Sequence, residues 1–133
     1  MRITLIKPRI GRKEFGPYID EGRMEPLQMG VLAGMIPEDI DVSFYDDRME
    51  EVNFDEPTDL VAVTVESFTA RRAYEIGKEY KKRGVPVVMG GTHPTLIPGE
   101  VAHYAPKHGA HDKPLHYWRR AQMCAGHFEL LEA

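Results

Sequence analysis

The chain is short of most features that would announce a role. Of its 133 residues one is cysteine, Cys124, so no intrachain disulfide framework can form, which suits a reducing cytoplasm. One thiol cannot hold an iron–sulfur cluster, whose irons take about four cysteine-type ligands. No iron–sulfur cluster is therefore expected in this chain. No apolar run approaches the roughly 20 residues that cross a bilayer, and the opening Met-Arg-Ile-Thr-Leu-Ile-Lys-Pro is too short in apolar residues for a signal peptide. No membrane partner is expected. Positive charge is not in excess either: 17 Lys+Arg against 21 Asp+Glu leave a formal net charge of -4, which argues against a nucleic-acid partner. The glycine patterns of dinucleotide and P-loop sites are absent, since the first loop reads Lys-Pro-Arg-Ile-Gly-Arg.

What is present is an ordinary globular balance, 42% hydrophobic and 29% charged, in a length that suits one hydrophobic core. Residues 2–6 form a short apolar strand that stops at Lys7-Pro8, because proline cannot donate to a sheet ladder. Residues 9–23 carry glycines, a proline and mixed charges without a period, and are expected to form a long loop. Pro26 opens a helix in which Leu27, Gly30, Val31, Gly34 and Met35 repeat at helical spacing. Leu32, Ala33 and Ile36 make its other side apolar, so it is expected to be largely buried, with Gly30 and Gly34 allowing close approach to a sheet.

Alternation over residues 40–45 predicts a second strand, and the connector that follows lacks an apolar period, so its helix is expected to be reduced or missing. Residues 60–65, Leu-Val-Ala-Val-Thr-Val, are apolar on both sides, as in a parallel sheet covered on both faces. An amphipathic helix runs to Arg83, with Ala70, Ala73, Ile76, Gly77 and Tyr80 on one face and Arg71, Arg72 and Glu75 among the charged residues of the other. Ser67 or Thr69 is expected to cap it and Gly84 to end it. A fourth strand over residues 85–89 is cut off by Gly90-Gly91, and helical turns over residues 93–104 are expected to break at Pro98-Gly99. Alternating strands and helices predict a doubly wound, mainly parallel α/β sheet of about four strands with helices on both faces. The fifth strand of a complete version is missing or atypical. Two parts are expected: an α/β domain over residues 1–104 and a His-rich segment over residues 105–133.

In such sheets ligands bind beyond the carboxyl ends of the strands. The residues placed there are the first loop, Asp46-Asp47, residues 66–69 and residues 90–93. Gly90-Gly91 suits either a backbone that approaches a ligand or a tight strand-to-helix turn. Ser67 and Thr69 suit either ligand contact or capping. His93 stands at a rim-facing helix start, where a structural and a ligand role both remain open. Asp46-Asp47 is expected to be an ordinary polar strand end. An enzyme acting through Glu66 or His93 on a small phosphate-bearing substrate is a further reading. The third strand ends in Glu66 and not Asp, which argues against a phosphoacceptor. His103, His108, His111, His116, Cys124 and His127 lack the compact thiolate-rich spacing of a structural zinc site, so a solvated segment without metal is expected.

Residues 2–104 resemble the N-terminal cobalamin-binding-type domain of B12-dependent radical SAM proteins. The likeness is carried by the opening strand with Lys7-Pro8, by Glu25-Pro26-Leu27-Gln28-Met29-Gly30-Val31-Leu32-Ala33, by Val63-Thr64-Val65-Glu66-Ser67-Phe68-Thr69, and by Val87-Val88-Met89-Gly90-Gly91-Thr92-His93-Pro94-Thr95. It implies a flavodoxin-like fold with a corrinoid at the strand ends beside a radical SAM barrel. Carried over, Ser67 and Thr69 and then Gly90 and Gly91 flank the nucleotide tail, with Thr92 and His93 adjacent and Lys7, Pro8 and Glu66 completing the rim. The Asp-x-His-x-x-Gly motif that supplies a cobalt ligand in mutase-type domains is absent after the first strand. The resemblance ends at Tyr104, which implies a truncated or split copy, not catalytic alone, whose partners are a corrinoid and a barrel chain. The alternative is a ligand-free module of the same fold that pairs through its open edge, with itself or another chain.

Overall fold

The residues most apolar on both sides, 60–65, occupy the interior of a sheet, the one position where a strand needs no polar face. The computed structural model describes residues 1–10 and 25–104. Within these, β1 (Arg2–Lys7), β2 (Asp41–Asp46), β3 (Leu60–Thr64) and β4 (Val87–Gly90) form one sheet of order β2-β1-β3-β4, parallel throughout. The helices are α1 (Leu27–Met35), α2 (Ala70–Lys82), α3 (Thr92–Leu96) and α4 (Pro98–Tyr104). This is the expected α/β, flavodoxin-like, doubly wound arrangement.

The strand order explains the two layers of helix. From β1 the chain crosses outward to β2, and from β3 it crosses in the opposite direction to β4. Crossovers of one hand then leave α1 and α2 on opposite faces. The register agrees. Ile3 pairs with Leu60 and Leu5 with Ala62, and these four pack with Met29 and Leu32 of α1. Ile6, Val61, Val63, Val87 and Met89 point the other way and pack with Ala73, Ile76 and Tyr80 of α2 and Val101 of α4. Between β2 and β3 no helix forms, as expected. The connector instead inserts Val52 and Phe54 on the α2 side, with the Phe54 ring 5.2 Å from that of Tyr80.

Three local expectations are corrected. Helix α1 is covered along one stripe only: Met29 and Leu32 are buried, whereas Leu27 is 73% and Val31 58% exposed. A helix apolar all round still turns a single side to the sheet. Gly30 and Gly34 have nothing within 4 Å of where a Cβ would sit, so neither serves a close approach. The break after α3 falls at Ile97, and Pro98 begins α4, a first-turn position where its missing N–H costs nothing.

No described helix is long and apolar enough to cross a membrane. Among the described residues β4 is an edge strand. Most of the expected first loop and all of residues 105–133, with His108, His111, His116, Cys124 and His127, lie outside the described residues.

Candidate functional site at the carboxyl rim of the sheet

The chain leaves β1 towards one edge and β3 towards the other, so the carboxyl ends of β1 and β3 bound the switch point. Lys7 closes β1 there. Its side chain is 8% exposed, and a cation so enclosed needs a partner. Glu66, just past β3, supplies it, with Oε2 3.0 Å from Lys7 Nζ. Pro8 follows and is buried. Across the β1–β2 ladder Lys7 pairs in register with Asp46. Burial pushes the Asp46 carboxyl up, but hydrogen bonds from Arg48, with the charges of Arg48 and Lys7, outweigh it and hold the group below the usual range.

The next residue was missed by sequence reasoning. Asp47 is a buried carboxylate whose side chain has 0% exposure, and Arg72 of α2 grips it through two bonds of 2.8 Å, Nε to Oδ2 and Nη2 to Oδ1. The Arg9 N–H donates to the same Oδ2 at 3.2 Å, and the Asp47 N–H donates to the Lys7 carbonyl at 3.0 Å. The hydrogen bond to Asp47 raises the Arg72 pKa further, against the opposing effect of burial. Arg72 thus leaves the solvated face of α2 that its spacing predicted. The available signal was the doubled acid at a strand end.

The loops after β3 and β4 are stitched together through Val65. Its N–H donates to the Gly90 carbonyl at 2.6 Å, and its carbonyl accepts from the His93 N–H at 3.2 Å. Gly91 makes this possible. Its φ of 119° lies where side chains are strained, and a Cβ there would stand 2.7 Å from the Val65 oxygen. The tight-turn reading of Gly91 therefore has a complete steric explanation. Thr69 is buried at the N-cap position of α2, where its carbonyl accepts from the Ala73 N–H at 3.0 Å, but neither its side chain nor that of Ser67 makes a cap bond. The Thr69 hydroxyl instead locks the turn, accepting from the Glu66 N–H at 3.0 Å and donating to the Glu66 carbonyl at 3.1 Å.

A second polar group joins the two loops. His93 is 5% exposed, and its Nδ1 lies 3.2 Å from the Ser67 hydroxyl. Its Nε2 lies 3.0 Å from the Tyr74 hydroxyl, which donates to Glu100 Oε1 at 3.0 Å. Both ring nitrogens are thus engaged within the protein, the structural role left open above. Neither Tyr74 nor Glu100 was signalled by the sequence, because they meet His93 only through the packing of α2 and α4. Ser67 and Phe68 are exposed on the loop after β3, and Thr92 is exposed at the start of α3.

The structure therefore joins Lys7 to Glu66 and Ser67 to His93, and sets Gly90 and Gly91 against Val65. Pro8 and Thr69 are turned inward. Among the described residues no group of three or more His, Cys, Asp or Glu side chains is placed to hold a metal ion.

With this geometry in place, two curated relatives are informative. Over 90 residues the chain is 36% identical to bacteriochlorophyllide d C-8(2)-methyltransferase of Chlorobaculum tepidum, a match that covers 65% of this chain and 20% of that protein. The chain is similar to methyltransferases. The second, bacteriochlorophyllide d C-12(1)-methyltransferase of the same organism, is 32% identical over 101 residues, covering 74% of this chain and 22% of that protein. The chain thus spans about a fifth of the length of the curated relatives it matches. No family model and no solved structure matches it.

Proposed function

We propose that residues 1–104 are a corrinoid-binding domain, not catalytic alone, that works within a larger methyltransferase-type assembly, with residues 105–133 as a separate segment. The observation that carries this reading is the Val65 stitch. It brings the exposed Ser67, on the loop after β3, and the exposed Thr92, at the start of α3, to the switch-point rim, where the resemblance puts the nucleotide tail. A corrinoid presents carboxamides, a phosphate and ribose hydroxyls, and hydroxyls on exposed loops are suitable partners for all three. Lys7 and Glu66 neutralise each other at the same rim. His93 spends both ring nitrogens inside the protein, so the cobalt takes no ligand from it. When bound, the corrinoid supplies a metal centre that carries one-carbon groups, and the chain's own residues hold and orient it. The cluster chemistry of the resembled family belongs to a radical SAM barrel chain, because Cys124 alone cannot support it. Operation in the cytoplasm is part of the proposal.

The test is direct. Hydroxocobalamin mixed with the purified chain is expected to co-elute in gel filtration with a shifted visible spectrum. Cofactor that separates freely with an unchanged spectrum rejects the reading.

A second reading, a ligand-free module that pairs with itself or another chain, draws on the unpaired β4 edge among the described residues and on the exposed Leu27, Val31, Val42 and Phe44. A stable cofactor-free dimer in sedimentation favours it, and a monomer that takes up hydroxocobalamin rejects it.

A further inference from the structure

Asp47 does more than close the end of β2. Its N–H donates to the Lys7 carbonyl at 3.0 Å, and its Oδ2 accepts from the Arg9 N–H at 3.2 Å, with Arg9 Nε 3.7 Å from the same oxygen. Pro8, between Lys7 and Arg9, has no N–H to offer. One residue thus grips the chain on both sides of Pro8, and its side chain continues the β1–β2 ladder where backbone pairing stops. The same carboxylate takes two bonds of 2.8 Å from Arg72, in the first turn of α2. The turn after β3 joins that helix at Thr69, whose carbonyl accepts from Ala73, the neighbour of Arg72. The exit from β1 and the entry to α2 bound the switch point, and one carboxylate fixes the first against the second. A buried ion pair loses much of its gain to desolvation, so its geometry is a stronger reason for its presence than its net stability.

We propose that Asp47 is a positioning residue for the ligand site: it holds Lys7-Pro8-Arg9 against α2 at the spacing that admits the ligand, so that association depends on it. With 0% of its side chain exposed, it acts only through the groups it holds. The ligand half of this proposal rests on the corrinoid reading above; the clasp does not.

Two measurements decide it. In the unliganded full chain the Arg9 amide is expected to exchange slowly. It should quicken about tenfold in Asp47→Asn, which leaves one acceptor oxygen for Arg72 and Arg9 to share. An unprotected Arg9 amide in the wild-type chain overturns the clasp whether or not any corrinoid binds. The second measurement is stopped-flow binding of hydroxocobalamin to folded chains. A site assembled in fewer molecules binds more slowly by that fraction, so Asp47→Asn is expected to slow association about tenfold and leave dissociation within about twofold. Tyr45→Phe loosens β2 without touching Asp47, Arg9 or Arg72, and is expected to leave both rates within about twofold. If Asp47→Asn does not fold, Arg72→Lys takes its place, keeping the charge, losing the two-pronged bond and slowing association about threefold. Unchanged association, or an equal slowing by Tyr45→Phe, makes Asp47 structural only and overturns the assignment. Faster dissociation with unchanged association puts a direct contact there and overturns it as well. No binding to the wild-type chain overturns the assignment together with the corrinoid reading, while the exchange result stands separately.

Discussion

Replacing Gly91 by alanine tests the claim that its role is a close backbone contact. Two penalties combine there. A φ of 119° with a ψ of -167° lies in a region that only glycine populates freely, costing about 1–3 kcal/mol for other residues. The new Cβ would also meet the Val65 oxygen at 2.7 Å and the Val65 nitrogen at 3.2 Å, atoms of a backbone held in place by its bond to Gly90. The combined loss is expected at about 3–5 kcal/mol, a large part of the 5–15 kcal/mol of a typical domain. Two other glycines separate the causes. Gly84 has a φ of 73° but nothing within 4 Å, so Gly84→Ala isolates the backbone penalty, about 1 kcal/mol. At Gly77 the obstacle is the mobile Met89 methyl at 2.6 Å in a helix that welcomes alanine, so the change is expected to stay within about 1 kcal/mol of neutral. Urea unfolding followed by circular dichroism ranks the three. With slopes of roughly 1–3 kcal/mol per molar urea, Gly91→Ala shifts the midpoint down by at least about 1 M. If Gly91→Ala and Gly84→Ala unfold together, the steric account of the stitch is wrong.

Other outcomes follow from the charged and phenolic groups. Arg72→Ala strands Asp47; breaking a buried pair costs about 3–5 kcal/mol, and the remaining Arg9 contacts bring the expectation down to about 2–3 kcal/mol. Asp47→Asn is milder, because Arg72, 17% exposed, can reach water, and equal urea midpoints for the two variants would refute this ordering. Tyr45 is pushed up to about 12 by its hydrogen bond to Glu56, with burial adding, and Tyr80 to about 12 by burial. Both pKa values are raised in the folded chain, so their stabilising contribution is complete below about 10 and is lost as pH rises through about 12. Ultraviolet titration should find Tyr45 and Tyr80 resisting ionisation until the chain unfolds. Asp46 has the opposite sign: its lowered pKa stabilises the fold above the usual carboxylate value near 4 and loses that contribution as pH falls below it, and Asp46→Asn should flatten the acid limb of a pH–stability curve.

The sheet was legible because its signals are local. Residues 60–65 declare burial on both faces within six positions, and α2 declares its apolar face through Ala73, Ile76 and Tyr80. The rim was legible only as a set of loops. Which face of α1 meets the sheet could not be read from residues apolar all round, and Thr69 gave no sign that its hydroxyl would turn back on Glu66 instead of forward into α2. Asp47 and Arg72 are 25 positions apart, and Ser67 and His93 are 26 apart. Pairs at that range exist only once the crossover has brought the strand ends together, so no spacing rule could announce them.

The β2 strand shows what the Asp47 grip means for the molecule as a whole. Its side chains bury little, with Val42 and Phe44 open to solvent, so oil does not hold this edge in place. Beyond its ladder to β1 it is fastened by Asp47 to Arg72, Tyr45 to Glu56 and Ser43 to Thr4. All three are polar contacts of single side chains, not a packed apolar face. In mild urea the margin should peel away while the inner strands stay folded, and amide exchange across residues 41–46 would be the first to quicken.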